Sequence, residues 1–155
     1  DVLDLGGGWP AARTATEVAD AVTAVVAHAR SAFGRVPRVL VEPGKYLVEP
    51  AMGVLTTVLD VREGPAGRAA VVDASIAELP DWSTHVHPVL WRSRARGAPW
   101  RRLGPGGDSV YGRLCMEHDV PRADVALPDD IEEGDRLLFL DAGAYDASMS
   151  YRFGV

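Results

Sequence analysis

Four short stretches of this sequence carry residue types that do chemistry. Gly6, Gly7 and Gly8 directly follow the apolar run VLDL, residues 2 to 5. Glycines at such a place let a ligand approach the backbone and aim amide N–H groups at an anion; a turn that only needs left-handed backbone is the plainer reading. The second stretch is VEPGKYLVEPA, residues 41 to 51. It holds Lys45, the one lysine among the 16 basic residues, with Glu42 three positions before it. A lone lysine beside Glu, Pro and Gly suits carbonyl chemistry, an anion ligand or a surface charge. The third is GRLCMEHDVP, residues 112 to 121, where Cys115 and Asp119 are four apart and His118 lies between them. Adding His85 and His87 gives H-x-H plus C-x-x-H, which offers four zinc ligands, although the usual second half of such a site is lacking. An inert buried cysteine is the alternative. The fourth is DAGAYDASMSYRF, residues 141 to 153, in which small residues around Tyr145 would let the backbone pass close to a ligand and present a phenol. A strand end softened by glycine explains the same residues.

The elements that must position these groups fall into two textures. VLDL reads as a short buried strand. TATEVADAVTAVVAHARSAFG reads as a helix, because Thr14 and Glu17 have capping-box spacing and Val18, Val22, Val25, Val26 and Ala29 recur at helical intervals. Gly34 closes it, and Pro37 separates it from a second strand, RVLVEP. Strand, glycine loop, helix and strand make one βαβ unit of a parallel sheet, whose strand-end loops share the ligand-binding face. In barrels the last two such loops often make the phosphate site. After residue 52 the segments GVLTTVLDVRE, GRAAVVDASI, DSVYGRL and DRLLFLDAGAY are β-rich, separated by Gly/Pro turns and free of convincing helix. They predict a separate, mostly antiparallel β domain.

With 155 residues the chain is long enough for an ordinary domain with a core. It begins inside an apolar run and stops at YRFGV, which is the pattern of a piece of a larger chain. A net charge of -6 disfavours nucleic acid, which needs a basic face. The Arg-rich stretch WRSRARGAPWRR, residues 91 to 102, reads as a solvated loop. A single cysteine excludes an internal disulfide framework and fits a reducing compartment. No apolar run approaches a membrane span and no signal peptide is visible, so a cytoplasmic chain is expected.

Taken together and in this order, the stretches resemble the fold-type III pyridoxal-phosphate decarboxylases, the family of ornithine, arginine and diaminopimelate decarboxylases. LDLGGGWP resembles the family's phosphate-binding glycine loop and VEPGKYLVEPA its E-P-G-R strand end. VVDASIAELP resembles the start of the β-domain substrate loop, GRLCMEHDV the G-P-x-C-x-x-x-D motif, and GDRLLFLDAGAYDASMSYRF the final D-A-G-A-Y segment. The resemblance implies that residues 1–52 are the last βα units of a (β/α)8 barrel and residues 53–155 the mostly antiparallel C-terminal β domain. The upstream barrel, with the lysine that bonds the cofactor and the histidine that stacks on its ring, would precede Asp1.

Roles follow from the same resemblance. Pyridoxal 5'-phosphate is the implied cofactor, with Gly6, Gly7, Gly8, Gly44, Lys45 and Tyr145 around its phosphate and Glu42 facing its ring nitrogen. Lys45 stands where the family usually has arginine, which implies an anion ligand and not the cofactor-bonding lysine; lysine lacks arginine's bidentate fork. Cys115 and Asp119 are the implied catalytic residues: Cys115 reaches the site across a homodimer interface and helps place the α-carbon proton, and Asp119 lies near the substrate's distal end or braces the loop. Asp73, Met116 and Glu117 are candidates for the substrate's distal end. Arg113 replaces the family's proline, a minor change. Met116 stands where the diamino-acid enzymes mostly carry Asp or Glu, so the substrate stays open, with diaminopimelate first by family abundance. The competing readings are a non-catalytic, regulatory relative of the same fold and a zinc-stabilised β module.

Overall fold

The computed structural model describes residues 2–10, 14–65 and 67–153; the extreme residues on which the reading of the chain ends rests, Asp1, Gly154 and Val155, lie outside them. It divides into two compact units, residues 1–50 and 51–155.

In the first unit, strand β1 (Val2–Asp4) pairs in parallel with β2 (Arg38–Leu40), and helix α1 (Ala15–Phe33) connects them. The start of α1 is fixed chemically. The Thr14 side chain accepts from the Glu17 backbone while the Glu17 carboxylate takes the Thr14 N–H, so two orphan donors are satisfied reciprocally. Its end is fixed by Gly34 at φ 68, whose N–H reaches Arg30 O. The stripe Val18, Val22, Val25, Val26 is half-buried and Ala29 fully buried, as the helical spacing requires. A short helix, α2 (Gly44–Val48), follows β2 and carries Lys45.

The second unit is built on a seven-stranded sheet ordered β6-β5-β9-β3-β4-β7-β8. Its strands are β3 (Val54–Gly64), β4 (Gly67–Val72), β5 (Val89–Arg92), β6 (Arg101–Arg102), β7 (Pro105–Tyr111), β8 (Arg122–Val125) and β9 (Arg136–Phe139). Every pairing is antiparallel except β4 with β7. The core is one cluster that includes Val58, Val72, Leu79, Trp91, Val110, Leu137 and Phe139, all essentially withdrawn from water. A 3-10 turn (Pro80–Ser83) and a short helix, α3 (Asp146–Met149), complete the unit.

Residues 93–100 of the Arg-rich stretch form the largely exposed loop expected, but both ends of the stretch are strand. Trp91 is buried in β5, its indole N–H donates to Asp135 Oδ2 at 2.9 Å, and β5 and β6 pair with Leu90 opposite Arg102 and Trp91 opposite Arg101. The Arg101 guanidinium covers the Trp91 ring at 4.2 Å. Arginines on the outer side had masked a strand whose inner side is apolar.

Candidate functional site

In the first unit the glycine triplet and the E-P-G stretch meet at the ends of the two parallel strands. Leu5 N–H donates to Leu40 O at 3.0 Å, and Glu42 N–H to Gly6 O at 2.8 Å. Gly6 O also accepts from the Trp9 indole, and Gly6 N–H is taken by Asp4 Oδ1 at 2.9 Å. Gly6 and Gly8 sit at φ 65 and φ 78. A Cβ on Gly7 would lie 2.8 Å from Glu42 O, so the two loops touch because Gly7 has none. The N–H groups of Gly7 and Gly8 have no acceptor among the described residues. Glu42 is exposed. Lys45 Nζ lies 3.5 Å from Glu49 Oε1, one helical turn on, and Glu49 is buried.

In the second unit the segments around Asp73 and around Cys115 lie side by side. Asp73 Oδ1 accepts from the Thr57 N–H at 2.7 Å and from the Thr56 hydroxyl. Burial alone would raise this carboxyl; the hydrogen bonds from Thr56 and Thr57 outweigh it and hold the group below its ordinary value. Asp119 is buried and divides its carboxylate between two backbone donors, Ile76 N at 2.9 Å and Leu114 N at 2.7 Å. It braces the cysteine loop from inside. Cys115, Glu117 and His118 are exposed and Met116 is half-buried. Arg113, far from a minor change, is a principal tie of this region: its guanidinium pairs with Glu78 and donates to the Asp73 carbonyl at 2.6 Å. Sequence reading missed Glu78 as well, although Ser75 and Glu78 have S-x-x-E spacing and do bond, Ser75 N to Glu78 Oε2 at 2.8 Å.

Tyr145 is exposed at the start of α3. Directly behind it Asp146 is buried, accepts from Asp81 N at 3.2 Å and lies 3.5 Å from His87 Nε2. His87 is buried too, and its Nδ1 donates to Leu140 O at 2.9 Å. Burial pushes the His87 imidazole below its ordinary value and the Asp146 carboxyl above its own. His87 is therefore committed to packing and to a carboxylate, and the His85 ring lies edge to face with it at 4.6 Å. Among the described residues no group of three or more His, Cys, Asp or Glu is arranged to hold a metal ion, which leaves the zinc reading without a site there. Nor is any described helix long and apolar enough to cross a membrane.

A βαβ unit with glycine-rich strand ends, followed by a mostly antiparallel sheet whose loops carry a cysteine and carboxylates, defines the class: an α/β chain with a C-terminal sheet domain. The family model "Pyridoxal-dependent decarboxylase, C-terminal sheet domain" matches residues 18–143, and the chain belongs to that family. It is 31% identical over 164 residues to the diaminopimelate decarboxylase of Bacillus subtilis, covering 98% of this chain and 36% of that one. It is 32% identical over 161 residues to the diaminopimelate decarboxylase of Actinosynnema pretiosum, covering 97% and 35%. Among solved structures, diaminopimelate decarboxylase from M. jannaschi superposes with TM-score 0.71 at 25% identity, over 97% of this chain and 35% of that one. The arginine decarboxylase of Paramecium bursaria Chlorella virus bound to agmatine shares the fold, with TM-score 0.71 at 24% identity over 98% and 41%. The chain thus spans about a third of the length of the curated relatives it matches.

The family's cofactor carries a phosphate. The Gly7 and Gly8 amides, without acceptors among the described residues and on glycines that bear no Cβ, fit such a group; Gly6, its N–H already bound to Asp4, contributes conformation instead.

Proposed function

We propose that this chain is part of a pyridoxal-phosphate-dependent amino-acid decarboxylase of the diaminopimelate/ornithine type. The observation that carries the reading is the junction of Gly6–Gly8 with Glu42: an anion cradle and a carboxylate on neighbouring parallel strand ends, tied by Glu42 N–H to Gly6 O at 2.8 Å. Residues 1–52 are the closing βα part of a (β/α)8 barrel, and residues 53–155 are its partner β domain.

Bound there, pyridoxal phosphate supplies the electron sink that lets an amino acid lose carbon dioxide. The chain's own residues do the rest. Gly7 and Gly8 N–H would hold the phosphate, Gly44 would leave room beside it and Lys45 would add positive charge; by the family resemblance the Tyr145 hydroxyl would be a further phosphate donor. Lys45 shares that charge with Glu49 and offers one ammonium point, so its grip is weaker than an arginine fork. With the cofactor bound, Glu42 would place negative charge beside the ring nitrogen and favour its protonated form. The Cys115 thiol would return a proton to the α-carbon, and Asp119 would act through the loop it braces. Cys115 serves the site of a second copy in a homodimer, an isologous arrangement that completes two sites at once. Asp73, Met116 and Glu117 meet the distal end of the amino acid. The enzyme works on small amino acids in the cytoplasm.

The test is carbon dioxide release from diaminopimelate, ornithine, lysine and arginine by the full-length protein with added pyridoxal phosphate. Turnover that Glu42→Gln and Cys115→Ala lower supports the reading. Tight cofactor binding with no release from any of these amino acids would overturn it in favour of a non-catalytic relative.

A further inference from the structure

The two loops on which the proposed site of the β domain depends, residues 73–78 and 112–119, are tied together around Arg113. Its backbone N–H donates to Ala74 O at 3.1 Å, and its Nη1 donates to the Asp73 carbonyl at 2.6 Å. The same guanidinium grips both oxygens of one carboxylate, Nη1 to Glu78 Oε2 at 3.0 Å and Nη2 to Glu78 Oε1. Glu78 is held in turn by the Ser75 N–H at 2.8 Å and the Ser75 hydroxyl at 2.6 Å. From the far side Asp119 Oδ1 takes Ile76 N–H and Oδ2 takes Leu114 N–H. Cys115 is exposed at the tip, two residues from the arginine and next to the clamped Leu114.

An arginine so near a thiol would ordinarily suggest a ligand for the substrate carboxylate. Its terminal nitrogens are instead spent within the protein, on Glu78 and on the Asp73 carbonyl. A two-point ion pair fixes angle as well as distance. Proline at this position would stiffen the backbone through its ring but would bring neither an N–H for Ala74 nor a donor for Glu78. Arg113 thus substitutes loop-to-loop bonding for local stiffness.

We infer that Arg113 and Glu78 form a latch that fixes Cys115 against the Asp73–Glu78 loop. They are positioning residues and not catalytic ones. The effect on turnover rests on the decarboxylase reading; the effect on the thiol does not.

The experiment uses the full-length protein and the variants Glu78→Gln, Arg113→Gln and Arg113→Lys. Alkylation of Cys115 by iodoacetamide is followed by mass spectrometry of its peptide, beside kcat, KM, thermal midpoint and the absorbance of bound cofactor. Both Gln variants should change the alkylation rate by about threefold or more and lower kcat about tenfold, with KM and cofactor absorbance nearly unchanged. Arg113→Lys, which keeps the charge but not the fork, should fall between them and the parent. Unchanged alkylation and kcat in both Gln variants would overturn the latch. So would a fall in kcat that follows the thermal midpoint while alkylation stays at the parent rate. If the Gln variants do not fold, Arg113→Lys alone decides on the same two readouts. A parent protein that releases no carbon dioxide would defeat the decarboxylase reading, while the alkylation arm still decides the latch.

Discussion

Gly112 and Asp119 fit together so closely that the buried Asp119 carboxylate fills the space a side chain at position 112 would need. Gly112 N–H also donates to the Asp119 carbonyl at 2.9 Å. The glycine and the aspartate that bracket Cys115 are therefore one structural unit: the first is bare so that the second can reach two backbone amides.

Gly112→Ala should force the carboxylate off Ile76 and Leu114 and strand buried donors, at a cost of about 2–3 kcal/mol. Asp119→Asn should cost less, since its amide keeps one acceptor oxygen. Urea unfolding midpoints measure both. A Gly112→Ala midpoint equal to that of the parent protein would show that the fit is loose.

Asp135 is fully buried and accepts from the Trp91 indole, the Arg94 N–H at 2.8 Å and the Glu132 N–H at 3.1 Å. Asp135→Ala should destabilise the β domain by about 3 kcal/mol or more, because the buried indole N–H loses its acceptor. Tryptophan fluorescence should shift as Trp91 loosens. Thermal unfolding and the emission spectrum together check this, and a stable variant with an unshifted spectrum would refute it.

What the sequence made legible was local. Helix α1 announces itself through Thr14, Glu17 and Gly34, all within or directly beside its own span, and β3, β4 and β9 through β-branched or aliphatic runs. Strand β5 was not legible, because VLW sits among arginine, proline and glycine and its anchor Asp135 is 44 positions away. The parallel pairing of β4 with β7 has no local signature either. Among the candidate residues, the glycine triplet, Glu42, Cys115 and Tyr145 stand out by type and order. Their structural partners do not: Arg113 meets Glu78 across 35 positions, and the His87–Asp146 contact pairs a supposed metal motif with a residue no pattern marks.

Acid should weaken the fold in two stages. His87, pushed by burial below its ordinary 6.5, stays neutral in the folded state while the unfolded chain protonates, so stability falls as pH drops below that value. Glu78 and Asp73, held below their ordinary 4.5 and 3.8 despite burial, contribute stability that is lost at lower pH still. Asp146 runs the other way: raised by burial, it favours the fold most below 3.8, and that contribution fades as pH rises through its folded value. His87→Asn should therefore flatten the stability profile below about pH 6.5 and leave the later loss in place. Urea midpoints across that range check it, and a variant profile parallel to the parent's would exclude His87 as the cause.

Lys45 offers a second check on the cofactor reading. Borohydride reduction of the full-length protein with pyridoxal phosphate should leave Lys45 unmodified, because its ammonium lies against Glu49 in a short helix beyond the strand end. Lys45→Arg should retain cofactor, and Lys45→Ala should release it about tenfold more readily, the worth of one charge-assisted contact. A reduced adduct mapped to Lys45 would make it the covalent residue and reverse its assignment.

Substrate choice turns on which carboxylate can meet a distal ammonium, since a desolvated ammonium needs one. Position 116 is Met, a polarizable apolar surface without charge. Asp119 is buried with its oxygens on Ile76 and Leu114 amides, and Asp73 is drawn toward Thr56 and Thr57. Glu117 is exposed and has no partner among the described residues, which makes it the carboxylate of this loop open to an ammonium. A carboxylate one position later in a loop aims differently, so under the decarboxylase proposal a substrate whose distal end differs in length or charge from that of ornithine should be favoured. In competition among equal ornithine, lysine and meso-diaminopimelate, the full-length protein should not be a strict ornithine decarboxylase. Glu117→Gln should raise KM about tenfold for substrates with a distal ammonium and leave kcat nearly unchanged, as the loss of a binding contact remote from the reacting carbon does. Met116→Asp should move the preference toward ornithine. A strong ornithine preference that Met116→Asp leaves unaltered would defeat this account of the loop.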